Sequence, residues 1–272
     1  MYDFGYHRPS SAADAAALLA KNGEAKVVAG GMTLVPTLKQ RLAQPSDLVD
    51  LGGIGDLKGI KAEAGGITIG AMTTHAEVAR SADVQKTIPA LACLAAGIGD
   101  PQVRNRGTIG GSVANSDPAA DYPAAVLGLG ATIRTNKREI KADDFFKGMF
   151  ETALQDGEII TAIHFPKPEK AGYSKFPNPA SRYAIVGVFV AKTAGGTRVA
   201  VTGAGPCAFR SKELEAALGG NLSADAAKGV KIKADGLNND LHATAAYRAH
   251  LVSVMAARAV AGPGRLVACF QP

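Results

Sequence analysis

Cysteine is scarce in this sequence: Cys93, Cys207 and Cys269 are the only three among 272 residues. No two of them are spaced as Cys-x-x-Cys, so the chain offers no iron–sulfur or zinc framework of its own. The five histidines form no His-x-x-x-His pair that would place two imidazoles on one helix face. We therefore expect no metal site in this chain.

Long apolar runs are also missing. No stretch reaches the roughly 18 apolar residues that a transmembrane helix needs, so no membrane span is expected. The opening residues, Met1-Tyr2-Asp3-Phe4, lack the basic and then apolar layout of a signal peptide. These absences predict a cytoplasmic protein.

Clustered positive charge is the third absence. The net charge is +6, but the basic residues are scattered and few aromatics lie between them. Nucleic-acid binding is therefore not expected. The positive balance instead suits an anionic cofactor, an acidic partner protein or a membrane surface.

Glycine, by contrast, is abundant, and two glycine pairs each lie beside a hydroxyl residue. The first glycine segment is Val28-Ala29-Gly30-Gly31-Met32-Thr33-Leu34, and the second is Gly107-Thr108-Ile109-Gly110-Gly111-Ser112. Paired glycines let the backbone approach a ligand closely, and a hydroxyl residue at a helix start leaves amides free for a phosphate. Either pair alone is more typical of an ordinary turn. Together they predict the two halves of a clamp on a pyrophosphate.

Apolar periodicity divides the chain into three units, at 1–54, 55–167 and 168–272. The run 184–191 is almost wholly apolar, which predicts a strand covered on both faces. A loosely held tail is expected from Gly262 onward. The pattern predicts helices at 12–19, 34–42, 74–80, 88–96, 121–129, 211–218, 224–231 and 242–260. It predicts strands at 26–29, 47–51, 57–60, 66–70, 131–134, 158–163, 184–191 and 198–202.

Both glycine segments resemble a known pair of motifs. Ala29-Gly30-Gly31-Met32-Thr33 and Thr108-Ile109-Gly110-Gly111-Ser112 are similar to the AGGHS and TIGGN loops in the FAD-binding subunit of molybdenum hydroxylases. These subunits are the medium chains of carbon monoxide dehydrogenases and the flavin parts of xanthine-dehydrogenase-like enzymes. Residues 4–9, 99–106 and 116–123 also match family segments, so the likeness extends through nearly the whole chain.

The resemblance implies an α+β fold. Two α/β FAD-binding subdomains, of the type in PCMH and vanillyl-alcohol-oxidase-like flavoproteins, would grip FAD between them. The C-terminal domain would consist of a small antiparallel sheet with helices. The three units read from the periodicity correspond to these parts.

The resemblance also implies the cofactor-binding residues. The two motifs would hold the pyrophosphate, Asp121 would hydrogen-bond the ribityl or pyrophosphate region, and Lys175 would lie near the isoalloxazine. A cation there would stabilise the anionic reduced ring. The remaining predicted FAD contacts are Val28, Leu34, Ile98, Gly107, Ala114, Asp117 and the backbone of Ile160.

Simpler roles remain open for several of these side chains. Asp121 precedes a predicted helix and is equally explained as its N-cap. Lys175 alone reads as a solvated surface lysine. Arg104 and Arg106 would either steer an anionic cofactor or hold the local loop.

The sequence departs from the family pattern at four positions. Met32 stands where the family has histidine, and Ser112 where it has asparagine. Pro177 and Pro179 follow Lys175 where basic residues are usual, and proline can neither donate a backbone hydrogen bond nor carry charge.

The function that the resemblance implies is that of an electron-transfer subunit. Its partners would be a small [2Fe–2S] subunit and a large molybdopterin subunit, together forming a dimer of heterotrimers. Electrons would pass from the clusters to FAD and then to a quinone, oxygen or NAD. The alternatives are a stand-alone FAD-dependent oxidase or reductase, and an assembly protein that has lost FAD. The substrate, whether carbon monoxide, an aldehyde, a purine or an N-heteroaromatic, binds elsewhere and is not readable here.

Overall fold

A small parallel sheet forms the N-terminal part of the computed structural model, which describes residues 1–262. The predicted tail beyond Gly262 lies outside them. The elements are β1 (Gly5–His7), α1 (Ala12–Lys21), β2 (Lys26–Val28), α2 (Leu34–Lys39) and β3 (Asp47–Asp50). The strands lie in the order β1-β3-β2, with both pairs parallel. Helix α1 begins where predicted because the Ser11 side chain accepts a hydrogen bond from the Asp14 amide.

Residues 60–166 form a second layer of helices on an antiparallel sheet. Its first elements are β4 (Ile60–Glu63), β5 (Gly66–Gly70), α3 (His75–Arg80), α4 (Ala82–Thr87), α5 (Pro89–Ala96), α6 (Pro101–Arg106), α7 (Ile109–Asn115) and α8 (Tyr122–Leu129). The later elements are β6 (Thr132–Thr135), β7 (Glu139–Lys141), β8 (Phe146–Gly148), β9 (Glu151–Thr152) and β10 (Ile160–Pro166). The sheet order is β4-β5-β10-β6-β7, so the strand that closes this unit lies at its centre.

The C-terminal part is a four-stranded antiparallel sheet with helices. Its elements are β11 (Lys170–Pro177), β12 (Ala184–Thr193), β13 (Gly196–Thr202), β14 (Phe209–Arg210), α9 (Lys212–Gly220), α10 (Ala224–Lys228) and α11 (Ala245–Val260). The sheet order is β11-β12-β13-β14. Every residue from 184 to 191 is buried, which confirms the strand predicted to be covered on both faces.

Strand β12 shows how the sheet joins its neighbours. Val186, Val188 and Val190 pack into the core that β12 and β13 form with α11. Phe189 and Ala191 point the other way and belong to the core of the second unit. Because side chains alternate across a strand, one continuous apolar run serves both cores. The boundaries at 54/55 and 167/168 stay predictions.

Several predicted elements differ from the structure. The strand expected at 57–60 lies instead at Ile60–Glu63, because Gly55–Leu57 forms a 3₁₀ turn and Gly59 has a φ of +106°. No helix was predicted between residues 97 and 120, but this region contains α6 and α7. Asp100 caps α6 by accepting from the Val103 amide at 2.7 Å, with proline at the first helical position.

No helix within residues 1–262 is both long enough and apolar enough to cross a bilayer.

Candidate functional site

The two glycine segments meet in space, as predicted. A Cβ atom on Gly30 would overlap the carbonyl of Arg106, and it would lie 2.8 Å from the Cα of Gly107. On the other side, a Cβ on Gly111 would lie 3.4 Å from that of Ala29. The approach is backbone against backbone, so only glycine fits at position 30.

The first glycine segment presents free amides. Gly31 has a φ of +75°, and its carbonyl accepts from the Val35 amide at 3.0 Å, which starts α2. The Thr33 side chain makes no capping bond. Within residues 1–262, no acceptor is found for the amides of Gly31, Met32, Thr33 and Leu34. These donors at the positive end of α2 suit an anion.

The second glycine segment differs, because most of its amides are used inside the protein. Thr108 caps α7 by accepting from the Gly111 amide at 3.2 Å. The amides of Ile109 and Gly110 donate to carbonyls in the connection between β5 and α3, at 3.0 and 2.8 Å. The second segment therefore shapes the site more than it supplies donors.

A cleft of about 580 Å³ opens between these segments and the loop 181–183. This volume is in the usual range for cofactor sites. The cleft is lined by fourteen of the predicted residues: Ala29, Gly30, Gly31, Met32, Thr33, Leu34, Ile98, Gly107, Thr108, Gly111, Ser112, Ala114, Asp117 and Asp121. Two departures from the family pattern, Met32 and Ser112, thus lie directly on the cleft.

Five predicted residues do not line the cleft. The side chains of Ile109 and Ile160 are buried in the core of the second unit. Gly110 packs against the backbone before α3, and Val28 belongs to the parallel sheet. Lys175 is turned toward Asp121.

Asp121 and Lys175 form a buried ion pair beside the cleft. The ammonium group of Lys175 lies 2.9 Å from Oδ1 of Asp121 and also donates to the Gly97 carbonyl at 2.9 Å. The Tyr173 hydroxyl donates to the same carboxylate. The Asp121 side chain is only 4% exposed, and the Lys175 side chain only 10%. Burial raises the pKa of Asp121, while Lys175 and Tyr173 oppose that rise.

This pairing decides between the roles left open by the sequence. Asp121 makes no capping bond to α8, so the N-cap explanation was wrong. Lys175 is not a solvated lysine. Arg104 donates to the carbonyls of Ile98 and Gly99, both at 3.0 Å, and so holds the loop that borders the cleft.

Several residues on the cleft were not predicted from the sequence. His75 is 5% exposed, its Nδ1 has no partner within residues 1–262, and burial lowers its pKa to about 4. Phe150 and Arg182 have φ values of +57° and +62°, which are rare for non-glycine residues and occur mostly at functional sites. Burial raises the pKa of Tyr183. The sequence carried no signal for these four, because chain folding alone brings them together.

The family described as the FAD binding domain in molybdopterin dehydrogenase matches residues 2–168. The chain belongs to this family. Its cofactor is FAD, and the protein is a subunit of an oxidoreductase. The resemblance seen in the sequence and the α+β fold are therefore confirmed.

Relatives match over almost the whole chain. The carbon monoxide dehydrogenase medium chain of Afipia carboxidovorans is 38% identical over 94% of this chain and 95% of its own length. The nicotine 6-hydroxylase medium subunit of Paenarthrobacter nicotinovorans is 35% identical over 95% of this chain and 96% of its own. The solved reconstituted CO dehydrogenase from Oligotropha carboxidovorans superposes with a TM-score of 0.87, at 34% identity, covering 96% of this chain and 97% of that one.

Proposed function

We propose that the cleft holds the FAD diphosphate against the first glycine segment. The support is the set of free amides at Gly31, Met32, Thr33 and Leu34, which are donors without acceptors in the described chain. Phosphate oxygens are the acceptors that such a helix start favours. Gly30 allows the second segment to lie close enough to complete the cleft.

Asp121 is assigned to hydroxyl groups of the ribityl chain. A carboxylate beside a diphosphate would be repelled, whereas a hydroxyl donates to it. Lys175 favours the charged form of this carboxylate and orients it by its contact at 2.9 Å. Lys175 thus acts on the cofactor through Asp121, and we do not assign it a direct contact with the isoalloxazine.

The function supported best is electron transfer within a heteromeric molybdenum hydroxylase. When bound, FAD would supply the redox chemistry between the [2Fe–2S] clusters of a small subunit and a quinone, oxygen or NAD as the external acceptor. The protein supplies binding, orientation and electrostatics. Relatives named as medium chains or medium subunits support a place beside small and large subunits. The dimer of heterotrimers and the cytoplasmic location stay predictions.

The phosphate assignment is tested by Thr33→Asp, with Thr33→Asn as the matched control. Aspartate is a good N-cap, so the fold should be kept or slightly stabilised. Its charge would face the diphosphate, and we expect FAD to bind at least roughly tenfold more weakly, as for an interaction of about 1.4 kcal/mol. Asparagine has the same shape without the charge and should bind nearly as the wild type. Flavin fluorescence titration measures both, and equal affinities would refute the assignment.

The subunit role is tested by purification. A tagged chain expressed with its neighbouring genes should co-purify with two further subunits, and the complex should contain FAD, iron and molybdenum. A lone chain that is yellow and turns over a substrate by itself would instead establish a stand-alone flavoprotein.

A further inference from the structure

The second glycine segment offers few hydrogen-bond donors to the diphosphate. The amides of Ile109, Gly110 and Gly111 are all hydrogen-bonded within the protein. A diphosphate has acceptor oxygens on both phosphates. Within residues 1–262, four amides of the first segment have no acceptor, whereas in the second segment only the Thr108 amide has none. A side-chain donor beside the second segment would therefore add to the few amides available there.

The only imidazole on the cleft lies at this place, among the residues that the structure describes. A Cβ atom on Gly107 would lie 2.5 Å from Nε2 of His75. The Cα of Gly107 in turn lies against Gly30. One glycine therefore separates the His75 ring from the first glycine segment, and the lack of a side chain at position 107 makes room for that ring.

The environment of the ring fixes its chemical form. Burial, helped by the charge of Arg104, lowers the pKa of His75 to about 4, so the ring is neutral at pH 7. A neutral imidazole carries one N–H and one lone pair. Its Nδ1 is fully buried and has no partner within residues 1–262. Because buried orphan N–H groups are rarer than orphan acceptors, the proton belongs on Nε2.

We propose that His75 is a further FAD ligand, donating its Nε2–H to an oxygen of the diphosphate. This inference rests on the proposed function. The alternative is that His75 serves only in packing, since the centroid of its ring lies 5.3 Å from that of the Tyr122 ring. The two roles differ in which ring nitrogen matters.

The experiment compares His75→Gln with His75→Asn in the full-length chain. The glutamine amide nitrogen occupies the place of Nε2, whereas the shorter asparagine amide occupies that of Nδ1. Both variants lose the ring contact with Tyr122, and they differ from each other by only one methylene group. We expect His75→Gln to bind FAD within about threefold of the wild type. His75→Asn should bind roughly 10- to 100-fold more weakly, as for a lost hydrogen bond to a charged group.

Two readouts accompany the affinities. The melting temperatures of the FAD-free variants should be alike, which shows that packing is equally affected. The ³¹P resonances of bound FAD should resemble the wild type in His75→Gln and shift in His75→Asn. Equal affinities of the two variants, whether both weak or both normal, would overturn the inference while leaving FAD binding in place. A wild-type chain that does not bind FAD would overturn the proposed function, and this inference with it.

Discussion

Replacing Lys175 by methionine should destabilise the protein strongly. The substitution shortens the side chain by one atom, keeps its unbranched shape and removes its charge. The carboxylate of Asp121 would then be left 4% exposed, and within residues 1–262 the Tyr173 hydroxyl would be its one remaining side-chain partner. A buried charge without its counterion carries a large desolvation penalty.

The magnitude follows from the burial. Breaking a buried ion pair by removing one partner costs about 3–5 kcal/mol. For a chain of this size, the lower value corresponds to a fall in melting temperature of roughly 6–12 °C. Part of the loss will be recovered if Asp121 becomes protonated, because the neutral acid is cheaper to bury.

Lys192→Met is the matched control. Lys192 pairs at 2.8 Å with Glu169, which immediately precedes the neighbouring strand, but the two side chains are 53% and 56% exposed. An exposed pair contributes about 0–1 kcal/mol, so this variant should melt within a few degrees of the wild type. Thermal unfolding followed by circular dichroism measures both variants under the same conditions.

The pH dependence provides a second check. Without Lys175, the pKa of Asp121 in the folded state rises further above its unfolded value, because desolvation is no longer opposed. A raised carboxyl pKa favours the folded state at low pH. The deficit of Lys175→Met should therefore be larger at pH 8 than at pH 5. Equal melting temperatures for the two methionine variants at pH 8 would refute the reasoning.

Two further predictions concern stability. Arg138 and Glu158 form an ion pair at 3.0 Å, and this contact lowers the pKa of Glu158 to about 2. Because that pKa is depressed, Glu158→Gln should cost up to about 3 kcal/mol near pH 7. The cost should disappear as pH falls from about 4.3 toward 2, and urea unfolding across this range would show a constant cost if the pair were unimportant. Gly30→Ala should cost about 1–3 kcal/mol, because its methyl group overlaps the Arg106 carbonyl. Gly55→Ala, with nothing within 4 Å of the added carbon, should change the melting temperature little, and equal effects would show that the two glycine segments are not held together.

Features that depend on local sequence patterns were predicted correctly. The paired glycines beside Thr33 and Thr108 indicated where the backbone would bend, and these bends do border one cleft. The apolar run 184–191 identified a strand buried on both faces. No helix was predicted between 97 and 120, because short capped helices such as Pro101–Arg106 have too few residues to show periodicity.

The sequence alone determined the family, the cofactor and the residue types at the cleft. This information lies in glycine pairs, helix caps and apolar runs, which act on residues close to them in the chain. Only the tertiary structure decided which donors remain free. The Ile109 and Gly110 amides of the second glycine segment donate to the β5–α3 connection, so they are not available to a ligand. Lys175 forms an ion pair with Asp121, so its charge is not directed at a ligand. Both contacts join residues distant along the chain. A donor is free for a ligand only if it has no partner within the protein, and that partner is set by the fold and not by the neighbouring sequence.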